Sequence, residues 1–210
     1  MCWGEIGGTL GRSAGKFLLA LLVTGHAWAQ TPGSYTIEAQ SSRVQIRVFR
    51  AGLLGGFGDN HLIELGPLSG TAESSPAGPW RVHVFAQSGA LRVIDPGASP
   101  ATREQVQQAM LGARVLDASH YQTIELQSGS LAPGVNDRSW RMVADLTLHG
   151  VTRQVEFPLS WEEQGDRLHV RGSTKLQLRD FNIEPPRVAM GAVKVRNEFE
   201  LVYDITLRKQ

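Results

Sequence analysis

Ser139-Trp140-Arg141-Met142-Val143-Ala144-Asp145-Leu146-Thr147-Leu148 alternates apolar and polar side chains, and the pattern restarts with opposite parity beyond His149-Gly150. There Val151, Val155, Phe157, Leu159 and Trp161 fall on one side, and Thr152, Gln154, Glu156 and Ser160 on the other. Side chains of a strand point alternately to its two faces, so Trp140, Met142, Ala144, Leu146 and Leu148 share a face. Two such strands around a tight Gly-containing turn make a hairpin with one oily face.

The same alternation recurs outward from this hairpin. Leu168, Val170, Thr174, Leu176 and Leu178 line one side of the next stretch, and Val193, Val195, Phe199, Leu201, Tyr203, Ile205 and Leu207 one side of the last. Upstream, extended segments are predicted over 35–39, 43–49 (Val44, Ile46 and Val48 together), 61–65, 80–87 (Trp80, Val82, Val84 and Ala86 together) and 122–128. Gly52 to Gly58 carries too many glycines for a regular element and reads as a bent connection with apolar side chains. Ser74-Ser75-Pro76-Ala77-Gly78-Pro79 reads as a turn cluster. One helix is predicted over 101–111, with Thr102 as its N-cap and a narrow stripe of Val106, Ala109 and Met110 suited to lying across a barrel end. Long one-sided strands in succession predict an all-β fold, an up-and-down antiparallel β-barrel of about eight strands with one short α-helix. A two-sheet sandwich is the competing architecture.

The N-terminus has a different grammar. Arg12 and Lys16 precede the apolar run Phe17 to Val23, and Ala27-Trp28-Ala29 supplies small residues where a signal peptidase reads. Residues 1–29 are therefore expected to be a cleaved signal peptide and 30–210 a single domain, periplasmic or secreted. The apolar run is well short of the roughly 20 residues that span a bilayer, so no stable membrane insertion is expected after cleavage. The whole chain has 21 basic and 20 acidic residues, and cleavage removes Arg12, Lys16 and Glu5, leaving an even balance. A neutral chain without a basic cluster argues against nucleic acid as a partner. Cys2 is the one cysteine and leaves with the signal, which excludes thiol chemistry and cysteine metal sites from the mature domain.

A search for catalytic motifs finds no Gly-x-Ser-x-Gly elbow, no His-Glu-x-x-His and no phosphate-binding loop. Asp59-Asn60-His61 is the sharpest polar constellation. Asp59 and His61 are spaced to face one way on a strand, as half of a metal site or an acid/base pair, although a turn capped by Asp59 and Asn60 explains the same residues. His149 sits in the hairpin turn and is expected to be solvated. Around Arg179-Asp180-Phe181-Asn182-Ile183, Phe181 and Ile183 are candidates for closing a cavity and Arg179 for meeting a polar head; a surface ion pair beside a core plug is the simpler alternative.

Four dispersed motifs resemble the YceI-like family of exported proteins: Tyr35-Thr36-Ile37 with Ser42 and Val44; Leu116-Asp117 with Tyr121-Gln122-Thr123-Ile124; Asp145-Leu146-Thr147-Leu148-His149-Gly150-Val151-Thr152 with Arg153; and Arg179-Asp180-Phe181-Asn182-Ile183. The sequence departs from the family pattern at Arg50 (where many members have His), Gln122 (Pro) and Asn182 (Gly). The resemblance implies a lipocalin-like antiparallel barrel with an apolar tunnel that binds a polyisoprenoid or similar long amphiphile, an isoprenoid-type lipid or a quinone-like molecule, without catalytic machinery, in some cases as a homodimer. Neither a cofactor nor a metal is expected.

The expected apolar lining is Val48, Leu54, Phe57, Trp80, Val84, Met142, Leu146, Phe157, Leu159, Trp161, Val170, Phe181 and Phe199. Arg50, His61 and Arg179 are candidates for a polar head contact. The rivals are a hydrolase or metal-dependent enzyme built on Asp59 and His61, and a structural barrel with a filled core.

Overall fold

The computed structural model describes residues 33–51, 61–75, 78–135, 139–188 and 193–210. Its elements in chain order are β1 Gly33–Ile37, β2 Arg43–Ala51, β3 His61–Leu65, β4 Ser69–Ser75, β5 Gly78–Gln87, β6 Arg92–Val93, α1 Pro100–Leu111, β7 Thr123–Pro133, β8 Trp140–Leu148, β9 Val151–Gln164, β10 Arg167–Gln177, β11 Arg187–Val188 and β12 Val193–Lys209. The sheet runs β1-β4-β5-β7-β8-β9-β10-β12, antiparallel throughout, and β12 pairs back onto β1. This is a closed eight-stranded barrel, and closure rules out the sandwich.

Three of the eight staves are broken strands. β2 continues β1 after a 3-10 turn over Ala39–Ser41, β3 leads into β4, and β6 follows β5 after a 3-10 turn over Ser88–Ala90. The long β12 spans the first break, pairing with β1 through Leu207 to Lys209 and with β2 between Lys194 and Asp204. Side chains and bent backbone replace the missing ladder bonds there. Thr206 N–H donates to Ser42 Oγ (3.0 Å), Thr206 Oγ1 donates to the Ser41 carbonyl (3.1 Å), and Glu38 N–H donates to the Thr206 carbonyl (2.9 Å). Buried backbone polar groups need such partners, so a strand can bend only where substitutes are at hand.

The organising hairpin has the expected register. Trp140 faces Leu159, Met142 faces Phe157 and Ala144 faces Val155, with His149 at φ 51° and Gly150 at φ 70° in the turn. Two positive φ values are what a two-residue hairpin turn requires. The oily faces point inward to one core that includes Ala144, Leu146, Phe157, Leu159, Leu168, Leu176 and Phe199. Outward, neighbouring strands are laced by Arg47–Glu200 (3.2 Å), Lys175–Glu198 (3.1 Å) and Arg171–Asp204 (3.0 Å). Exposed pairs of this kind add about 0–1 kcal/mol each. Their polarity is the reverse of a transmembrane barrel, which carries its apolar band outside. No described helix is long and apolar enough to cross a membrane.

Some elements differ from expectation. Ser69–Ser75 is a strand, and Gly78 and Pro79, assigned to a turn, already belong to β5. The reason is compositional: Ser-Gly-Thr-Ala-Glu-Ser-Ser places only small groups inward, with Ala72 in the core, so no hydrophobic alternation announces it. The N-cap of α1 is Ser99, whose Oγ accepts the Thr102 N–H at 3.1 Å, with Pro100 in the first turn. Proline fits there because its missing N–H would have no intrahelical partner. Strand β1 ends at Ile37, because the chain turns over Ala39–Ser41.

Candidate functional site

The barrel is hollow. A cavity of about 590 Å³ runs through it, within the range of roughly 300–1,000 Å³ in which proteins hold small ligands. Its wall is overwhelmingly apolar, because every inward position of the long strands is Val, Leu, Ile, Met or aromatic except a few. Val48, Trp80, Val84, Met142, Leu146, Phe157, Leu159, Trp161, Val170 and Phe199 all line it, together with His61. Leu54, Phe57, Asp59 and Asn60 lie outside the described residues, as does the side chain of Arg50.

Aromatic rings cluster at the end where β5 and β8 begin, with Trp80 and Trp161 on the cavity wall. Trp140 stacks on Trp161 with centroids 4.4 Å apart and planes 13° from parallel, Trp161 meets Trp80 at 6.1 Å, and Trp80 meets Tyr35 at 5.8 Å. Each of the three tryptophans beyond residue 29 belongs to this floor. Sequence periodicity placed them on inward faces, but their meeting depends on closure, which brings β1, β5, β8 and β9 to one end.

At the opposite end, α1 and the segment after it lie over the opening. Val106, Ala109 and Met110 face the cavity as the helical stripe predicts, and Val115 and Leu116 join them. The helix is tied to its strand by Gln107, whose Oε1 accepts the Val93 N–H (2.8 Å) and whose Nε2 donates to the Leu91 carbonyl (2.7 Å).

The polar feature of this end is a buried pair. His61 Nδ1 is 2.6 Å from Asp95 Oδ2, and Asp95 Oδ1 accepts the Leu62 N–H at 2.5 Å. The Asp95 side chain is only 4% exposed and that of His61 15%. The carboxylate partner of His61 is therefore Asp95, far along the chain, and no spacing in the sequence could reveal it. Asp95 reads locally as the start of a loop, between Ile94 and Pro96. Among the described residues, no group of three or more His, Cys, Asp or Glu is placed to hold a metal ion.

Tyr203 is a second polar group on the wall, but its hydroxyl is spent internally, donating to the Pro158 carbonyl. Burial pushes its phenol well above the ordinary tyrosine range. The ring crosses Gly172, its register partner on β10, where an added Cβ would sit 2.1 Å from the Pro158 oxygen. Glycine is required here by the close approach of three strands.

Three assignments from the sequence are corrected. Phe181 does not line the cavity; it is 1% exposed and plugs the core beneath the 3-10 turn Leu178–Phe181, while Ile183, two residues on, reaches the wall. The left-handed backbone of Asn182, φ 57°, separates the two. Arg179 points outward and pairs with Glu184 at 3.2 Å, away from the cavity. His149 is not simply solvated. Its ring lies 4.3 Å from that of Tyr121 and its Nδ1 is 3.2 Å from the Phe181 carbonyl, so the hairpin turn clamps two other segments of that end.

Comparison with known proteins agrees with this architecture. The YceI-like domain matches residues 35–207. Among solved structures, Burkholderia cenocepacia BcnA superposes with a TM-score of 0.64 at 14% identity, over 81% of this chain and 98% of its own. A polyisoprenoid binding domain from Saccharophagus degradans, implicated in plant cell wall breakdown, superposes with a TM-score of 0.60 at 14% identity, over 84% of this chain and 98% of its own. The YCEI protein of Campylobacter jejuni gives 0.55 at 10% identity, over 70% and 84%. No curated protein matches the sequence.

Proposed function

The chain belongs to the YceI-like family, and from that premise we propose that it is a binding protein, not an enzyme, which holds a polyisoprenoid or similar long-chain amphiphile in its barrel. The observation that carries this reading is the cavity itself, apolar from the tryptophan floor to the helix-covered end and lined by the residues that alternation places inward. A filled structural barrel would leave no such volume. The polyisoprenoid binding domain of Saccharophagus degradans, which shares the fold, supports the choice of ligand class.

The energetics suit a tail rather than a compact solute. Burying about ten methylene equivalents at roughly 0.8 kcal/mol each offers about 8 kcal/mol before ordering costs, enough for useful affinity without any polar contact. Selectivity for chain length is weak in such a site, because one methylene changes preference by only about 1–3 kcal/mol. The carrier works in the periplasm or outside the cell after loss of residues 1–29; the charged-then-apolar N-terminus supports that placement.

Mass spectrometry of organic extracts from natively purified mature protein tests the function. An isoprenoid or comparable amphiphile at near-stoichiometric amount is expected. Protein that carries no lipid, and takes up none when incubated with isoprenoid alcohols or quinones, would refute it. The intact mass of the secreted chain, expected to begin at Gln30, tests the processing.

A further inference from the structure

The His61–Asp95 pair lies at the end of the cavity opposite the aromatic floor. Of the other polar side chains along the wall, Thr102 is held by Ser99, Glu125 by His83 and Gln127, and Tyr203 by the Pro158 carbonyl, while Thr71 and Gln105 complete the set. A carboxylate only accepts hydrogen bonds. With Oδ1 taken by the Leu62 N–H, Oδ2 faces Nδ1, so the ring proton of His61 resides on Nδ1. A neutral imidazole in this tautomer keeps a lone pair on Nε2. Among the described residues His61 makes no hydrogen bond except to Asp95. Nε2 is thus the polar atom this side chain offers to whatever fills the cavity, and it offers it as an acceptor.

Acceptor character selects among headgroups. A hydroxyl donates to Nε2. An ether or a quinone carbonyl has no proton to give, and a phosphate would bring negative charge to within one ring of the buried Asp95 carboxylate. Arg103 is held by backbone, its guanidinium donating to the carbonyls of Asp95 and Ala98 (3.1 and 3.0 Å), and forms no ion pair with the Asp95 carboxylate among the described residues. We propose that His61, with its tautomer set by Asp95, is the headgroup acceptor of the cavity and selects long-chain amphiphiles that end in a hydroxyl. His61 touches the ligand; Asp95 is a positioning residue. The inference rests on the binding function proposed above and narrows its ligand class.

The test titrates the full mature chain with farnesol, farnesyl methyl ether and farnesyl phosphate, read by the emission of the floor tryptophans. Farnesol is expected to bind about tenfold more tightly than the ether, the value of one hydrogen bond to a buried acceptor, and more tightly than the phosphate. In His61→Phe the alcohol should fall to the affinity of the ether, while the ether changes little; His61→Gln, which restores an acceptor oxygen, should regain part of the preference. Asp95→Asn gives the sharper readout. Its amide can donate to Nδ1 and drive the ring proton to Nε2, so the ether should gain and the preference for the alcohol collapse with the ring still in place. Nitrogen-15 NMR of wild-type His61 at mildly alkaline pH, which needs no variant to fold, should show a protonated Nδ1 and a bare Nε2. Equal binding of alcohol and ether, tightest binding of the phosphate, or a protonated Nε2 would each overturn the headgroup assignment while leaving the cavity's function intact. Binding of none of the three probes overturns the headgroup assignment; the carrier function falls with it only if the protein also carries no lipid and takes up no longer isoprenoid alcohol or quinone.

Discussion

Tyr203→Phe removes one oxygen atom from the barrel wall and should cost far more than its size. The ladder between β9 and β10 ends at the pair Leu159 and Gly172, so the Pro158 carbonyl just beyond depends on the Tyr203 hydroxyl, which reaches it from β12 across Gly172. One side chain thereby joins three strands. Removing a buried partner and leaving an acceptor unsatisfied costs about 1–3 kcal/mol. For a chain of this length each kcal/mol shifts Tm by roughly 2–4 °C, giving an expected fall of about 2–12 °C. Gly172→Ala attacks the same junction from the other side. Its Cβ would lie 2.1 Å from the Pro158 oxygen and 2.6 Å from the Tyr203 hydroxyl, and the first of these is backbone that cannot rotate away. Because both changes break one contact, the double variant should be less destabilised than the two single costs together, with a coupling of about 1 kcal/mol or more. Urea unfolding followed by tryptophan emission measures all three variants. A Tyr203→Phe protein within about 0.5 kcal/mol of wild type, or strict additivity in the double variant, would refute the three-strand junction.

Other outcomes follow from the same geometry. Met142→Trp should push an indole into the cavity and displace about three methylenes of ligand tail, weakening lipid binding by roughly 2 kcal/mol, or about thirtyfold, in a fluorescence titration; unchanged affinity would mean that the tail does not pass Met142. Gly150→Ala should cost at least about 1 kcal/mol in denaturant unfolding, since its φ of +70° suits glycine and the new Cβ would meet the Tyr121 ring at 2.5 Å. Stability should also decline in alkali. Burial raises the phenol of Tyr203, and burial followed by the charge of Glu163 raises that of Tyr35. Below the ordinary tyrosine pKa of about 10 both folded and unfolded chains keep these protons, so their contribution is fully present; above it the unfolded chain ionises first and stability falls as pH rises towards the folded values. Unfolding free energies measured across that window should drop less steeply in Tyr203→Phe, and equal slopes would contradict the assignment.

Where the sequence was legible, it was so because one physical signal dominated. The hairpin Trp140–Leu148 and Val151–Gln164, with β10 and β12, has strict two-residue periodicity over long runs, and a strand with one buried face cannot slip register without exposing it. Seven residues expected on the apolar wall, from Met142 on β8 to Phe199 on β12, belong to these strands and line the cavity. The signal failed where side chains are small, as in Ser69–Ser75, and where the chain leaves the strand. Phe181 is a large apolar residue just past a wall strand and was expected on the wall, but the 3-10 turn and the left-handed Asn182 put it in the core and leave Ile183 on the wall. His149 reads as a solvated turn residue because its partners, Tyr121 and the Phe181 carbonyl, come from segments distant in sequence.

The sequence by itself determined that this chain is made of one-sided antiparallel strands with an oily inner face and a polar outer face of balanced charge, because alternation is a local property of each strand; closure into a barrel, rather than a sandwich, was settled by the pairing of β12 back onto β1. Only the tertiary structure decided that the interior is hollow, that its floor is three tryptophans and a tyrosine, and that His61 is held by Asp95. Volume is the difference between what the inward side chains fill and what eight staves enclose, and a hydrogen bond between residues on β3 and the loop after β6 exists only once those strands are paired. The Ser139 to Trp161 stretch supplies one wall of that space; the remaining strands, bent at Ser42 and capped by α1, decide how much of it is left for a ligand.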